Sequence, residues 1–294
     1  MTSISTFIKR HSIPIYYILT FAISWSAVLL VIGGPGGIPG TPEDLERLLP
    51  VAILAMLTGP TIAGLLMTGL VRGRAGYREL LSRLLRWRVS ARWYAVALLT
   101  APLVFMAVLL ALSLSSPTFL PGIFACGASP SSLLFGITAA LAAGLFEELG
   151  WTGFVTPELR RRYSVLATGL IMGVLWGAWH LLTNDFWAGA ASAGTLPLPL
   201  FVTANGFGFL VGQLVAYRVL MVWVYDRTGS LLVAILMHAA LTASTLILGP
   251  VAISGTALLI YDLALAVAMW AVVAAVALAS LGELSRRPIR RSEA

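Results

Sequence analysis

Charge is the scarcest thing in this chain. Of its 294 residues only 11% are Asp, Glu, Lys or Arg, against 59% hydrophobic. Mean hydropathy is +0.93. That excludes an ordinary soluble globule and defines a polytopic membrane protein, read as one transmembrane domain over 1–294. A single cysteine, Cys126, excludes an internal disulfide and any cysteine-built metal cluster. Neither Ser-x-x-Lys nor Gly-x-Ser-x-Gly occurs, so the common serine-nucleophile motifs are missing. Histidine is limited to His11, His180 and His238. No soluble domain, internal repeat or low-complexity tract interrupts the chain.

What is there is hydrophobic length. Eight apolar runs are each long enough to cross a bilayer: 13–34, 50–71, 93–115, 131–157, 164–184, 201–225, 230–248 and 252–281. Lipid offers backbone groups no hydrogen-bond partner, and these runs are too long for barrel strands, so the expectation is an all-α bundle. The first run follows Lys9-Arg10, exceeds a usual signal-peptide core and lacks a clear cleavage site. It is read as a retained span. Net charge is +7, from one lysine and eighteen arginines against twelve acids. In a soluble protein this would suggest nucleic acid. Here the arginines read as topology markers and contacts to anionic lipid, with no nucleic-acid partner. An even span count with a cytoplasmic N-terminus puts 18 of the 19 basic residues inside, Arg218 and Arg227 among them, and leaves only Arg47 outside. Both termini are then cytoplasmic. Between spans two and three, Leu80, Leu81, Leu84, Leu85 and Trp87 alternate with arginines, which predicts an interfacial amphipathic helix over about 72–92.

Three polar islands break the apolar pattern. Phe146-Glu147-Glu148-Leu149-Gly150-Trp151-Thr152-Gly153-Phe154 closes the fourth run. An ionised carboxylate at the centre of a lipid-facing helix costs roughly 2.5–3.5 kcal/mol, so a pair of them implies a polar site. The other islands are Trp176-Gly177-Ala178-Trp179-His180 and His238-Ala239-Ala240-Leu241-Thr242. Glu148 and His180 lie symmetrically about the break near residue 164, and His238 follows the inner loop 226–229 by about ten residues. At the helical rise, each sits roughly 15 Å from the cytoplasmic face. Residues four apart share a helix face, pairing Glu148 with Thr152, Trp176 with His180 and His238 with Thr242. Gly150, Gly153, Gly173 and Gly177 suggest a close approach of the fourth and fifth helices. His11 reads as surface and Asp262 as interfacial. Asn205 and Gln213 either line a cavity or join helices.

Such a set suits water-mediated amide hydrolysis. A glutamate in a low-dielectric cavity can act as general base on water, and a histidine can share the proton or donate to an oxyanion. Glu147, His180 and His238 could also hold zinc, but the His-Glu-x-x-His spacing is absent. A mechanism without metal is equally compatible. A proton-coupled transporter would also place ionisable groups in the membrane, but it predicts paired helix interruptions in the two halves, which the sequence does not show.

Glu147-Glu148-x-x-x-Thr152, Trp176-x-x-x-His180 and His238-x-x-x-Thr242 resemble the motifs of the CAAX prenyl protease 2 and bacteriocin-processing (CPBP, Abi) intramembrane proteases. That family's pattern is Glu-Glu-x-x-x-Arg, Phe-x-x-x-His and His-x-x-x-Asn. The likeness covers about 131–248. It implies an eight-helix bundle with a cytosol-facing intramembrane cavity, cutting a membrane-anchored peptide or protein. It further implies that Glu147 activates water with His180 while His238 and Thr242 stabilise the oxyanion. An Arg-, Ala-, Leu- and Gly-rich composition points to a GC-rich bacterium, hence an inner cell membrane. Thr152, Trp176 and Thr242 depart from the pattern. The loss of the motif arginine leaves the glutamate pair without its usual counter-charge and raises the alternative of a weak or inactive member acting as a membrane immunity or binding protein.

Overall fold

A computed structural model describes residues 4–124, 129–251, 253–280 and 282–285. Cys126 and the four C-terminal arginines lie outside the described residues. Among the described residues there is no strand, and eight helices are long and apolar enough to cross a membrane. We number them α1 (Ser12–Val31), α2 (Pro42–Leu84), α3 (Ala91–Ser113), α4 (Pro130–Arg160), α5 (Val165–Trp187), α6 (Leu198–Thr228), α7 (Leu231–Leu248) and α8 (Gly255–Ala279). The protein is a multi-pass membrane protein, and the eight expected runs each correspond to one helix.

Local chemistry sets the helix ends. The Thr41 hydroxyl accepts from the Asp44 amide, and the Asp44 carboxylate accepts in return from the Thr41 amide. Ser129 and Ser132 form the same reciprocal pair before α4. Ser164 and Ser230 cap α5 and α7 by accepting from the amides of Ala167 and Val233. Each arrangement satisfies amides that an isolated helix start leaves unpaired. At the other end of α6, Gly229 takes a left-handed conformation, φ 58°, which glycine adopts without steric cost.

The expected interfacial helix is partly different. Helix α2 runs on past its apolar part, with a break at Gly73 (φ 59°, ψ −148°). It ends at Leu84 rather than near 92. Its polar face does not simply lie on the surface, because Arg83 is buried. Arg83 donates through Nη1 to Tyr225 Oη at 2.8 Å and through Nη2 to the Gly153 carbonyl at 3.0 Å. At the same end of the bundle, Arg72 pairs with Glu158, and Arg160 donates to Asp226 at 2.8 Å.

The glycines do not do what the sequence suggested. Gly150 faces Pro60 and Tyr16 on α2 and α1, and Gly153 faces Leu80 and Leu231. Gly169 and Gly173 press α5 onto α6: a Cβ on either would meet the Cα of Val219 or Val215 at 2.5 and 2.6 Å. Gly177 meets Leu210 in the same way. The glycines of spans four and five therefore face different partners, and the two spans meet instead through Trp176 and Glu147. Similarly, a Cβ on Gly144 of α4 would lie 2.6 Å from the Ile235 carbonyl of α7.

Asp262 is buried, not interfacial, and accepts from Gln213 Nε2 at 3.1 Å. Asn205 donates to the buried Asp185. Asn205 and Gln213 thus join helices. An apolar cavity of about 630 Å³ lies at the end of the bundle that carries loops 32–41 and 188–197, lined by Val174, Leu181, Phe186, Val202 and Phe207 among others.

Candidate active site

The centre of the bundle holds two carboxylates that differ in their partners. Glu147 and Glu148 are neighbours on α4, so their side chains point about 100° apart. Both are buried, and each finds its first partner four residues on, one turn along the same face. Trp151 Nε1 donates to Glu147 Oε2 at 3.1 Å, and the Thr152 hydroxyl donates to Glu148 Oε2.

Glu148 is the saturated member. Besides Thr152, its Oε1 accepts from His238 Nδ1 at 2.6 Å. Arg218 Nη1 reaches both its oxygens at 2.9 Å. Arg218 and Glu148 are both 0% exposed, so this ion pair is fully withdrawn from solvent. Glu147 is held differently. Its Oε2 takes a second indole donor, Trp176 Nε1, at 2.7 Å. Its Oε1 accepts no hydrogen bond from the described residues, and the His238 Nε2 atom lies 3.7 Å away. That separation is too long for a direct hydrogen bond. Since it is shorter than the sum of two such bonds, one water can engage both atoms.

The two histidines are oriented by different means. His238 gives Nδ1–H to a carboxylate, which turns Nε2 toward Glu147. His180 gives Nδ1–H to the Trp176 carbonyl at 2.8 Å, which leaves its Nε2 available. The Trp176 ring stands between the imidazoles, with centroids 5.5 Å from His180 and 5.2 Å from His238. Trp179 packs on the far side of His180 at 4.8 Å. Tyr16 and Tyr17 of α1 pack around Trp151, and Trp25 Nε1 donates to the Trp179 carbonyl. The first helix carries no motif but supplies part of the aromatic wall.

The structure thus brings Glu147, Glu148, Thr152, Trp176 and His238 into one contact group, with His180 joined to it through Trp176. Thr242 is half-buried and makes no side-chain hydrogen bond to a described residue; Glu148, not Thr242, orients His238. Sequence reasoning missed Arg218, which it placed among the inner topology charges. The signal was present, since an arginine flanked by Tyr217 and Val219 in an unbroken apolar run needs a buried partner. No group of three His, Cys, Asp or Glu side chains among the described residues is arranged to hold a metal ion. One oxygen of Glu147 is committed to two indoles, and His238 Nδ1 is committed to Glu148. That leaves Glu147 Oε1, His180 Nε2 and His238 Nε2 as the atoms a zinc ion would have to use, and as placed they do not form a metal-holding group.

Together these features define a class: a multi-pass helical membrane protein with a buried carboxylate–imidazole–guanidinium centre. Residues 128–244 match the family described as type II CAAX prenyl endopeptidase, Rce1-like. The likeness lies in that region, which carries both glutamates and both intramembrane histidines. It is also 25% identical over 179 residues to the CAAX prenyl protease 2 of Methanococcus maripaludis, a match covering 58% of this chain and 62% of that protein. The chain thus spans less than two thirds of that relative's length.

Proposed function

We propose that the protein is an intramembrane endopeptidase that hydrolyses a peptide bond in a membrane-associated protein or peptide. The observation that carries this reading is the asymmetry of the glutamates. Glu148 has its acceptor positions filled, whereas Glu147 keeps Oε1 facing His238 Nε2 across 3.7 Å. Water held at that pair loses a proton to Glu147 as its oxygen bonds to the scissile carbonyl carbon. In its doubly protonated form His238 keeps Nδ1–H on Glu148 and donates Nε2–H to the resulting oxyanion. The C–N bond then breaks, and the proton stored on Glu147 passes to the departing amine, directly or through His180. The products are a carboxylic acid and an amine, or after proton exchange a carboxylate and an ammonium, with water consumed. The family name supports a peptidase of this kind, and the curated relative's name extends it to prenylated CAAX-type ends as one substrate class. The substrate reaches the centre from the cytosolic side, where the paired arginines cluster, and both termini lie on that side of a cell membrane. The intact acid–base array argues against a purely non-catalytic binding role.

The test is cleavage by purified protein in detergent or nanodiscs against a panel of membrane-anchored peptides, prenylated and not. Glu147→Gln should lower the rate by about 10²–10⁴-fold, and His180→Ala and His238→Ala should each lose a large part of it. Equal rates in wild type and Glu147→Gln would remove the proposed base. Parallel reactions with chelator and with added zinc decide whether a metal takes part; unchanged rates in both are expected.

A further inference from the structure

We infer that Arg218 is a positioning residue that supplies, from α6, the counter-charge that the Glu147–Thr152 segment itself does not carry. This rests on the peptidase reading for its catalytic meaning, but its physical content is separate. Three observations converge. Thr152 is buried and keeps only a hydroxyl on Glu148. Arg218 spends every hydrogen bond it makes on that same carboxylate, while its Nε and Nη2 have no acceptor among the described residues. Its guanidinium carbon also lies 4.0 Å from the centroid of Trp176.

The third observation links two departures from the family pattern. Tryptophan presents the best aromatic face for a cation, and its indole N–H gives Glu147 a donor that phenylalanine lacks. Thr152, Trp176 and Arg218 therefore act as one unit around Glu148: the cation comes from a neighbouring helix, and the indole face lies against it. The approach of α6 needed for this is provided by Gly169 and Gly173, which face Val219 and Val215 on either side of Arg218 in sequence. Arg218 acts on the reaction through Glu148, which holds His238, and it does not touch the reacting atoms.

The test is an exchange. Arg218→Thr leaves Glu148 buried without a cation, and Thr152→Arg places a second cation beside Arg218. The double variant T152R/R218T restores one arginine and one threonine around the same carboxylate, conserving volume. Each single variant should lower the melting temperature by several degrees, and the double should melt above both. Cleavage should follow the same order, with each single down about 10²-fold, chiefly in kcat, and the double largely recovered. A double variant no more stable than the worse single overturns the inference, because a packing role would not be rescued by an arginine from another helix. If the melting pattern appears while wild-type protein cleaves nothing, the counter-charge stands and the peptidase reading fails. If wild type cleaves and the pattern is absent, the reverse holds.

Discussion

A buried carboxylate that has lost its charge strands whatever cation faced it. Glu148→Gln should therefore cost about 3–5 kcal/mol, because Arg218 would remain in the bundle unpaired. Glu147→Gln removes no ion pair and should melt close to wild type while losing cleavage. Thermal melts of the two variants side by side check this contrast, and equal destabilisation would contradict it. Trp176→Phe gives up an indole donor and a stronger cation–π face, and should cost about 1–2 kcal/mol by the same measurement. At this scale the sequence disclosed the glutamates and the two intramembrane histidines, because polar groups in apolar runs stand out. It marked Arg218 only by its apolar flanks, Tyr217 and Val219, which are easily passed over among inner-face arginines. The packing of Val215 and Val219 against glycines then shows which partner it faces.

The helices add a second kind of information. Glycine spacing was visible, but its partners were not, since small residues at a periodic face say that something comes close without naming it. Gly173→Leu should force α5 and α6 apart, lower stability by about 1–3 kcal/mol and weaken cleavage by displacing Arg218 from Glu148. Leu170→Ala, on an exposed position of the same helix, should change neither. Melting curves and rates of the two variants decide. Widened π-helical turns at Trp151–Val155, Leu181–Trp187, Gly206–Gln213 and Ser244–Leu248 accompany the site-bearing helices, directly after His180 in α5 and a few residues from Glu148 in α4. Such turns frequently mark functional positions. No propensity distinguishes them from ordinary helix in the sequence, which is why the run lengths were legible and the bulges were not.

For the whole molecule, the arginine distribution reads as a topology with both termini inside. Single cysteines at Arg161 and Ala191, in a Cys126→Ser background, test it on intact cells with a membrane-impermeant maleimide. Labelling at 191 and protection at 161 is the expected outcome, and the opposite pattern would invert the protein in the bilayer. The eight spans were readable because lipid enforces length and hydropathy. The way they close on the centre was not, since contacts between Glu148, Arg218 and His238 join residues 70 and 90 positions apart.

That separation also governs how the protein is made. At about 5–20 residues per second, the ribosome delivers the glutamates roughly 4–14 s before the arginine that neutralises one of them. During that interval α4 carries two carboxylates that lipid disfavours. The nascent hairpin must therefore wait in a polar or protein-lined setting beside the insertion machinery until α6 emerges. Assembly of this centre is a late event in synthesis, and chains cut short before residue 218 would be left with acidic residues in the membrane and nothing to answer them.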